Sequence, residues 1–168
     1  MSSLADVFRV LNRMRDEGIV AQYAIGDATA VLFYAEPTRT YDLDVFVTVD
    51  AVPSQALAPL SRIYEWARKR GIELQAEHLM IEGVPVQFLP AYSALVDAAL
   101  STAQVHDYDG VPVNVVDPEH LVALALEAGG ARRRERAWQL LEAGAADRER
   151  LRRILKTHAI AAEIPNDA

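Results

Sequence analysis

Asp42 and Asp44 stand two residues apart in the stretch Arg39-Thr40-Tyr41-Asp42-Leu43-Asp44-Val45, at the head of the apolar run Val45-Phe46-Val47-Thr48-Val49. Side chains alternate faces along a strand, so a strand here puts both carboxylates on one face, their Cα atoms ~6–7 Å apart. Like charges so placed are costly unless a cation lies between them or they stand at an exposed strand end. Upstream, Tyr23-Ala24-Ile25-Gly26-Asp27-Ala28-Thr29-Ala30 reads as a strand ending in glycine and turning directly into a helix. A helix N-terminus after a glycine turn is a natural place for phosphate. A phosphate cradle followed by an acidic pair points to metal-assisted phosphoryl or nucleotidyl transfer.

The elements that must position these residues are legible in order. Ser3 and Asp6 form a capping box for a helix whose Leu4, Val7, Phe8, Leu11 and Met14 recur at helical spacing until Gly18. Ile19 to Ile25 reads as a strand, Ala28 to Ala35 as a short helix, and Tyr41 to Val49 as the acidic strand. Pro53 and Ser54 open an amphipathic helix that stops at Gly71. Ile72 to Ile81 and Val84 to Leu89 read as a hairpin turning at Glu82-Gly83. A helix from Ala91 to about Ser101 follows, then a second hairpin, Val105 to Tyr108 and Val111 to Val116. Asp117 caps and Pro118 opens a helical C-terminal part, with helices near 118–128, 131–143 and 147–160. The expected fold class is α+β: a small mixed sheet backed by helices (core, residues 1–116), a helical subdomain packed on it (117–162), and a frayed tail (163–168).

Composition bounds the function classes. A chain of 168 residues, 51% of them hydrophobic, is expected to be one domain with a sizeable core. The absence of cysteine excludes disulfides and zinc-thiolate sites and fits a reducing compartment. No apolar run approaches the ~18 residues of a membrane span, and no signal peptide stands at the N-terminus, so a cytoplasmic location without membrane association is expected. The net charge of −7 argues against a general nucleic-acid coat protein.

Gly26-Asp27, then Thr40-x-Asp42-x-Asp44, then Val86-Gln87-Phe88-Leu89-Pro90 resemble the nucleotidyltransferase superfamily with a polymerase-beta-like core. The nearest flavour is the minimal and abortive-infection-type nucleotidyltransferases of bacteria, often found in toxin–antitoxin pairs. Asp117-Pro118-Glu119-His120-Leu121 and Arg132 to Arg136 resemble the helical continuation of those proteins, and the resemblance covers most of residues 19–140. It implies an NTP as substrate and Mg²⁺, in a one- or two-ion site, on Asp42 and Asp44, since hard ions prefer carboxylate and phosphate oxygens. It implies nucleotide contacts at Gly26, Asp27, Arg39 and Thr40. The acceptor is left open: tRNA or another RNA, a protein, or a small molecule. Arg39 is read either as an offset to phosphate charge or as a solvated loop residue, and Thr40 more simply orders the start of the strand.

The chain also departs from that pattern. Family members usually carry Gly or Ser where Asp27 stands; a carboxylate there would repel phosphate, unless Asp27 serves only as a helix N-cap. The third carboxylate should stand in the second strand of the first hairpin, where this chain has Gln87, which can touch a metal but adds no charge and takes no proton. The position often occupied by lysine is Ala125, and a usual aspartate becomes Glu135. General-base assistance contributes ~10²–10⁴ in rate, so its loss implies a slow enzyme, or a binding and regulatory module whose catalysis has decayed. His78 is a candidate substitute base: a two-residue turn at Glu82-Gly83 would set it opposite Gln87 on the same face, and histidine as a type exchanges protons near neutrality. The plainer reading, and the one the residue type favours, is an ordinary sheet-surface residue. Arg132-Arg133-Arg134-Glu135-Arg136 could meet RNA or triphosphate, though such Arg/Glu-laced faces are usually solvated. Trp66 and Trp138 fall in apolar helical patterns and read as core.

Overall fold

A computed structural model describes residues 3–35, 42–49 and 60–164. Arg39 and Thr40, assigned to nucleotide contacts from the sequence, lie outside the described residues, as does the first part of the helix expected from Pro53. The described residues form seven strands and seven helices in the order α1 (Leu4–Asp16), β1 (Gln22–Gly26), α2 (Asp27–Val31), β2 (Leu43–Thr48), α3 (Ser61–Lys69), β3 (Glu73–Gln75), β4 (His78–Ile81), β5 (Val84–Pro90), α4 (Ala94–Ser101), β6 (Gln104–Tyr108), β7 (Val111–Val115), α5 (Pro118–Ala128), α6 (Ala131–Glu142) and α7 (Arg148–Thr157). The strands make one mixed sheet in the order β3-β4-β5-β2-β1-β7-β6. β2 runs antiparallel to β1 and parallel to β5, and β1 runs parallel to β7. β2, which contains Asp44 and follows directly on Asp42, therefore lies centrally.

The run Ile72 to Ile81 is two strands rather than one. Ala76 takes φ +54° and the chain folds back at Ala76-Glu77, pairing Gln75 with His78. The second turn uses Glu82 at φ +51° and Gly83 at φ +79°, the left-handed pair that matches the twist of a two-residue hairpin. β1 begins at Gln22 rather than Ile19, because Ile19 and Val20 are occupied in backbone bonds to Met14 that finish α1.

α1 covers one face of the sheet. Its Val7, Phe8, Leu11 and Met14 are buried, and burial of each such side chain contributes roughly 1.5–3 kcal/mol. The contact is also fixed by polar bonds: the buried Tyr23 hydroxyl donates to Asn12 Oδ1 at 2.6 Å, and Asn12 Nδ2 donates to the Pro112 carbonyl at 2.8 Å. The Ser3–Asp6 capping box is present. α5 lies over the opposite face, where it shares a cleft with Phe46 and Leu89.

The start of α5 is held by a buried polar cluster. Asp117 is fully buried and accepts from the His120 backbone at 2.9 Å, from Thr102 Oγ1 at the end of α4 at 2.6 Å, and from the Arg150 guanidinium of α7 at 3.2 Å. Burial alone would push the Asp117 carboxyl up, but hydrogen bonds from His120 and Thr102 outweigh it and hold it at about 2. Arg150 also pairs with Glu119 at 3.1 Å. One cluster thus joins α4, α5 and α7.

Candidate active site

The site is built at the edge where β1, β2 and β5 end. Sheet register sets Asp44 beside Gly26 on one side and beside Gln87 on the other. One step beyond the Leu79–Val86 pair, the β4–β5 register brings His78 next to Gln87. Gly26, Asp44, Gln87 and His78 therefore form a row across four strands. Asp44, Phe46, Gln87 and Leu89 line a single cleft of about 250 Å³ together with residues of α5 and α6.

Each carboxylate has an identifiable support. Thr29 of α2 donates its hydroxyl to the Asp42 backbone carbonyl at 3.2 Å, which fixes the approach of the chain to β2. The exposed Asp42 carboxylate lies 3.6 Å from His78 Nε2, so His78 reaches the acidic pair across β5. Gly26 has an ordinary extended backbone, and its requirement for glycine is steric: a Cβ there would overlap the Phe46 ring. The missing side chain lets β1 close on β2 at the point where Asp44 emerges.

Asp27 does not cap α2. Gly26 is the N-cap without a side-chain bond, and Asp27 is the first helical residue at φ +49°. Its carboxylate instead reaches Arg136 of α6, with Nη1 to Oδ1 at 2.5 Å, and also bonds Asp44. α2 has only five residues, so its dipole offers less to an anion than the sequence suggested.

The charges here are crowded. The Asp44 carboxyl is pushed up to about 7, first by burial, then by the hydrogen bond and charge of Asp27 and by the charge of Asp42; Arg136 offsets part of this. A carboxyl so placed holds a proton or a cation near neutrality. The donors around it suit Mg²⁺: carboxylate oxygens on Asp42 and Asp44 and an amide oxygen on Gln87, all hard ligands. Among the described residues no group of three His, Cys, Asp or Glu side chains is placed so that it could hold a metal ion, and the residue paired with Asp44 on β5 is Gln87 rather than a carboxylate.

The rest of the lining includes residues of the arginine run, read from the sequence either as a phosphate or RNA contact or as a solvated face. Arg133 and Arg136 both face the cleft, so the arginine run is not wholly a solvated face. The signal was present: 133, 136, 137 and 140 share one helical stripe, and Ala137 and Leu140 on it are buried. Glu135 falls off that stripe and is exposed, while Ala125 lines the cleft without contributing charge. Tyr92, 63% exposed, stands at the mouth. Trp66 is buried, with Arg70 stacked 3.9 Å from its ring centroid, and Trp138 packs against the core.

No protein-family model matches the chain, and no curated protein matches it in sequence. Solved structures do match it in fold. An antigenic nucleotidyltransferase-like protein from Paracoccidioides brasiliensis is similar over 92% of this chain and 86% of its own, with a TM-score of 0.58 and 15% identity. The antibiotic-resistance factor ANT(2'')-Ia is similar over 94% of this chain and 92% of its own, with a TM-score of 0.55 and 12% identity. The chain has a nucleotidyltransferase-like fold, and at these identities the likeness is one of fold.

Proposed function

We propose that this protein binds a nucleoside triphosphate with Mg²⁺ in the cleft and transfers the nucleoside monophosphate to a hydroxyl acceptor, on RNA (tRNA included), a protein or a small molecule. The observation that carries this reading is the row Gly26, Asp44, Gln87 in a nucleotidyltransferase-like fold, with Asp44 and Gln87 lining the cleft and the Asp42 carboxylate beside them at His78. In the reaction the acceptor oxygen bonds to the α-phosphorus, the bond to pyrophosphate breaks, and the hydroxyl proton passes to a base. A bound Mg²⁺ would supply Lewis-acid stabilisation of the phosphoryl oxygens. Asp42 and Asp44 hold that ion, and Gln87 contributes an amide oxygen without charge. Arg133 and Arg136 meet phosphate oxygens, a task suited to the planar guanidinium. Arg39 and Thr40 belong to the same proposal as nucleotide contacts. The site works in a cytoplasmic setting; among the described residues no helix is long and apolar enough to cross a membrane.

Gln87 favours a second reading: a nucleotidyltransferase-fold regulatory module, one half of a toxin–antitoxin pair, that binds nucleotide and does not turn it over. Release of pyrophosphate and labelling of total cellular RNA and protein separate the two. Under the enzyme reading the wild type labels slowly, and Gln87→Asp raises the rate by ~10²–10⁴, the usual weight of general-base assistance. If His78 is the working base, Gln87→Asp changes little and His78→Ala abolishes labelling. No labelling by any variant, with Mg·NTP binding intact, leaves the regulatory module.

A further inference from the structure

Asp27 and Arg136 come from opposite walls of the cleft, 109 residues apart in sequence, and meet at 2.5 Å. Asp27 stands in a left-handed backbone that few side chains adopt, although Asp and Asn tolerate it better than most. Its carboxylate makes no cap bond on its own helix and is directed into the cleft. The Arg136 side chain is 18% exposed and Asp27 35%, so the pair is partly shielded from water and the interaction is stronger than a surface ion pair. Arg133, one turn earlier on the same stripe, lines the same cleft. With α2 only one turn and a half long, Arg133 and Arg136 are the cationic side chains that line this cleft among the described residues.

A guanidinium presents a fork that fits carboxylate and phosphate alike. In the ligand-free protein the fork at Arg136 is filled by the chain's own carboxylate. The cleft, at about 250 Å³, lies just below the ~300–1,000 Å³ of small-molecule sites, and the Asp27–Arg136 pair stands on its lining. We propose that Asp27 is a built-in competitor that occupies Arg136 in place of a phosphoryl group, and that a polyphosphate ester binds by taking Arg136 over from Asp27. The nature of the ester rests on the nucleotide reading above; the exchange at Arg136 applies to any phosphoryl anion. Asp27 thereby sets the affinity: it weakens anion binding and selects ligands that bring a divalent cation to balance the carboxylates.

The test is titration calorimetry on the full chain with Mg·pyrophosphate and with a Mg-bound non-hydrolysable ATP analogue. The variants are Asp27→Asn, Arg136→Gln and the double substitution. Asparagine keeps the left-handed backbone accessible and removes only the charge; should it fail to fold, Asp27→Gly carries the same test. Asp27→Asn is expected to tighten pyrophosphate on the order of tenfold, as removal of a close like charge does. Arg136→Gln is expected to weaken it, and in the double variant the gain is expected to vanish. Unchanged or weaker pyrophosphate binding by Asp27→Asn overturns the proposal, and so does a gain that survives in the Arg136→Gln background. If pyrophosphate gains but no variant binds the ATP analogue, the exchange stands and the nucleotide reading fails. If the analogue binds in an Asp42-dependent manner while Asp27→Asn alters neither ligand, the nucleotide reading stands and the exchange fails.

Discussion

Asp44 is the side chain on which the electrostatics of the site converge. Its carboxyl rises from an ordinary 3.8 to about 7 through burial and then through Asp27 and Asp42. A raised acid binds more protons folded than unfolded, so its contribution to stability falls as pH rises from about 4 to about 7 and stays low above that. Asp44→Asn removes the charge that the fold holds at a cost. The variant is therefore expected to melt higher than wild type at about pH 8.5 and to lose that advantage at about pH 5, where Asp44 is already protonated in the fold. Thermal melts without divalent cation check this; an advantage independent of pH would show that Asp44 does not titrate in this range. The acidic pair was legible because like charges at i and i+2 before an apolar strand need a reason. The pairing of Asp27 with Arg136 was not legible, because nothing local in either segment points across 109 residues of chain.

At the scale of elements, α2 and the first turn of α5 do the positioning. Gly26 allows β1 to approach the Phe46 ring on β2, and Gly26→Ala is expected to cost roughly 1–3 kcal/mol as an overpacked contact. Phe46→Leu should recover part of that cost in the double variant; chemical denaturation measures both, and no recovery would place the strain elsewhere. At α5, Asp117→Ala leaves Arg150 and Glu119 with a broken network and is expected to cost about 3–5 kcal/mol. Because Asp117 is depressed to about 2, its contribution is fully present above the ordinary value of 3.8 and is lost as pH falls towards about 2. Wild type and Asp117→Ala should thus converge in stability only in strong acid. Most elements were readable from periodicity and caps: Ser3, Asp117-Pro118 and the glycines after helices announce their ends in the local chemistry. The break at Ala76-Glu77 was not, since neither residue type signals a turn and only pairing between β3 and β4 imposes the left-handed backbone.

For the whole molecule, the sheet brings three separate sequence segments to one edge and the helices close over it. Gly26-Asp27, Asp42-x-Asp44 and Gln87 meet through β1–β2 and β2–β5 pairing, while α6 delivers Arg133 and Arg136 from far down the chain. The resemblance to nucleotidyltransferases rested on the first three, and the likeness of fold to known nucleotidyltransferase-like structures agrees with it at that level. The arginine run was named in the sequence with two readings, a phosphate or RNA contact and a solvated face, and composition alone did not choose between them. The central claim is that Asp42 and Asp44 hold a metal that carries a nucleotide into this cleft. Calorimetric titration of wild type and Asp42→Asn with a non-hydrolysable NTP, with and without Mg²⁺, tests it most directly. Wild type is expected to bind only with Mg²⁺, and Asp42→Asn is expected to abolish this binding while leaving the fold intact. Equal binding of Mg·NTP by the two proteins, or no binding by wild type, would contradict it.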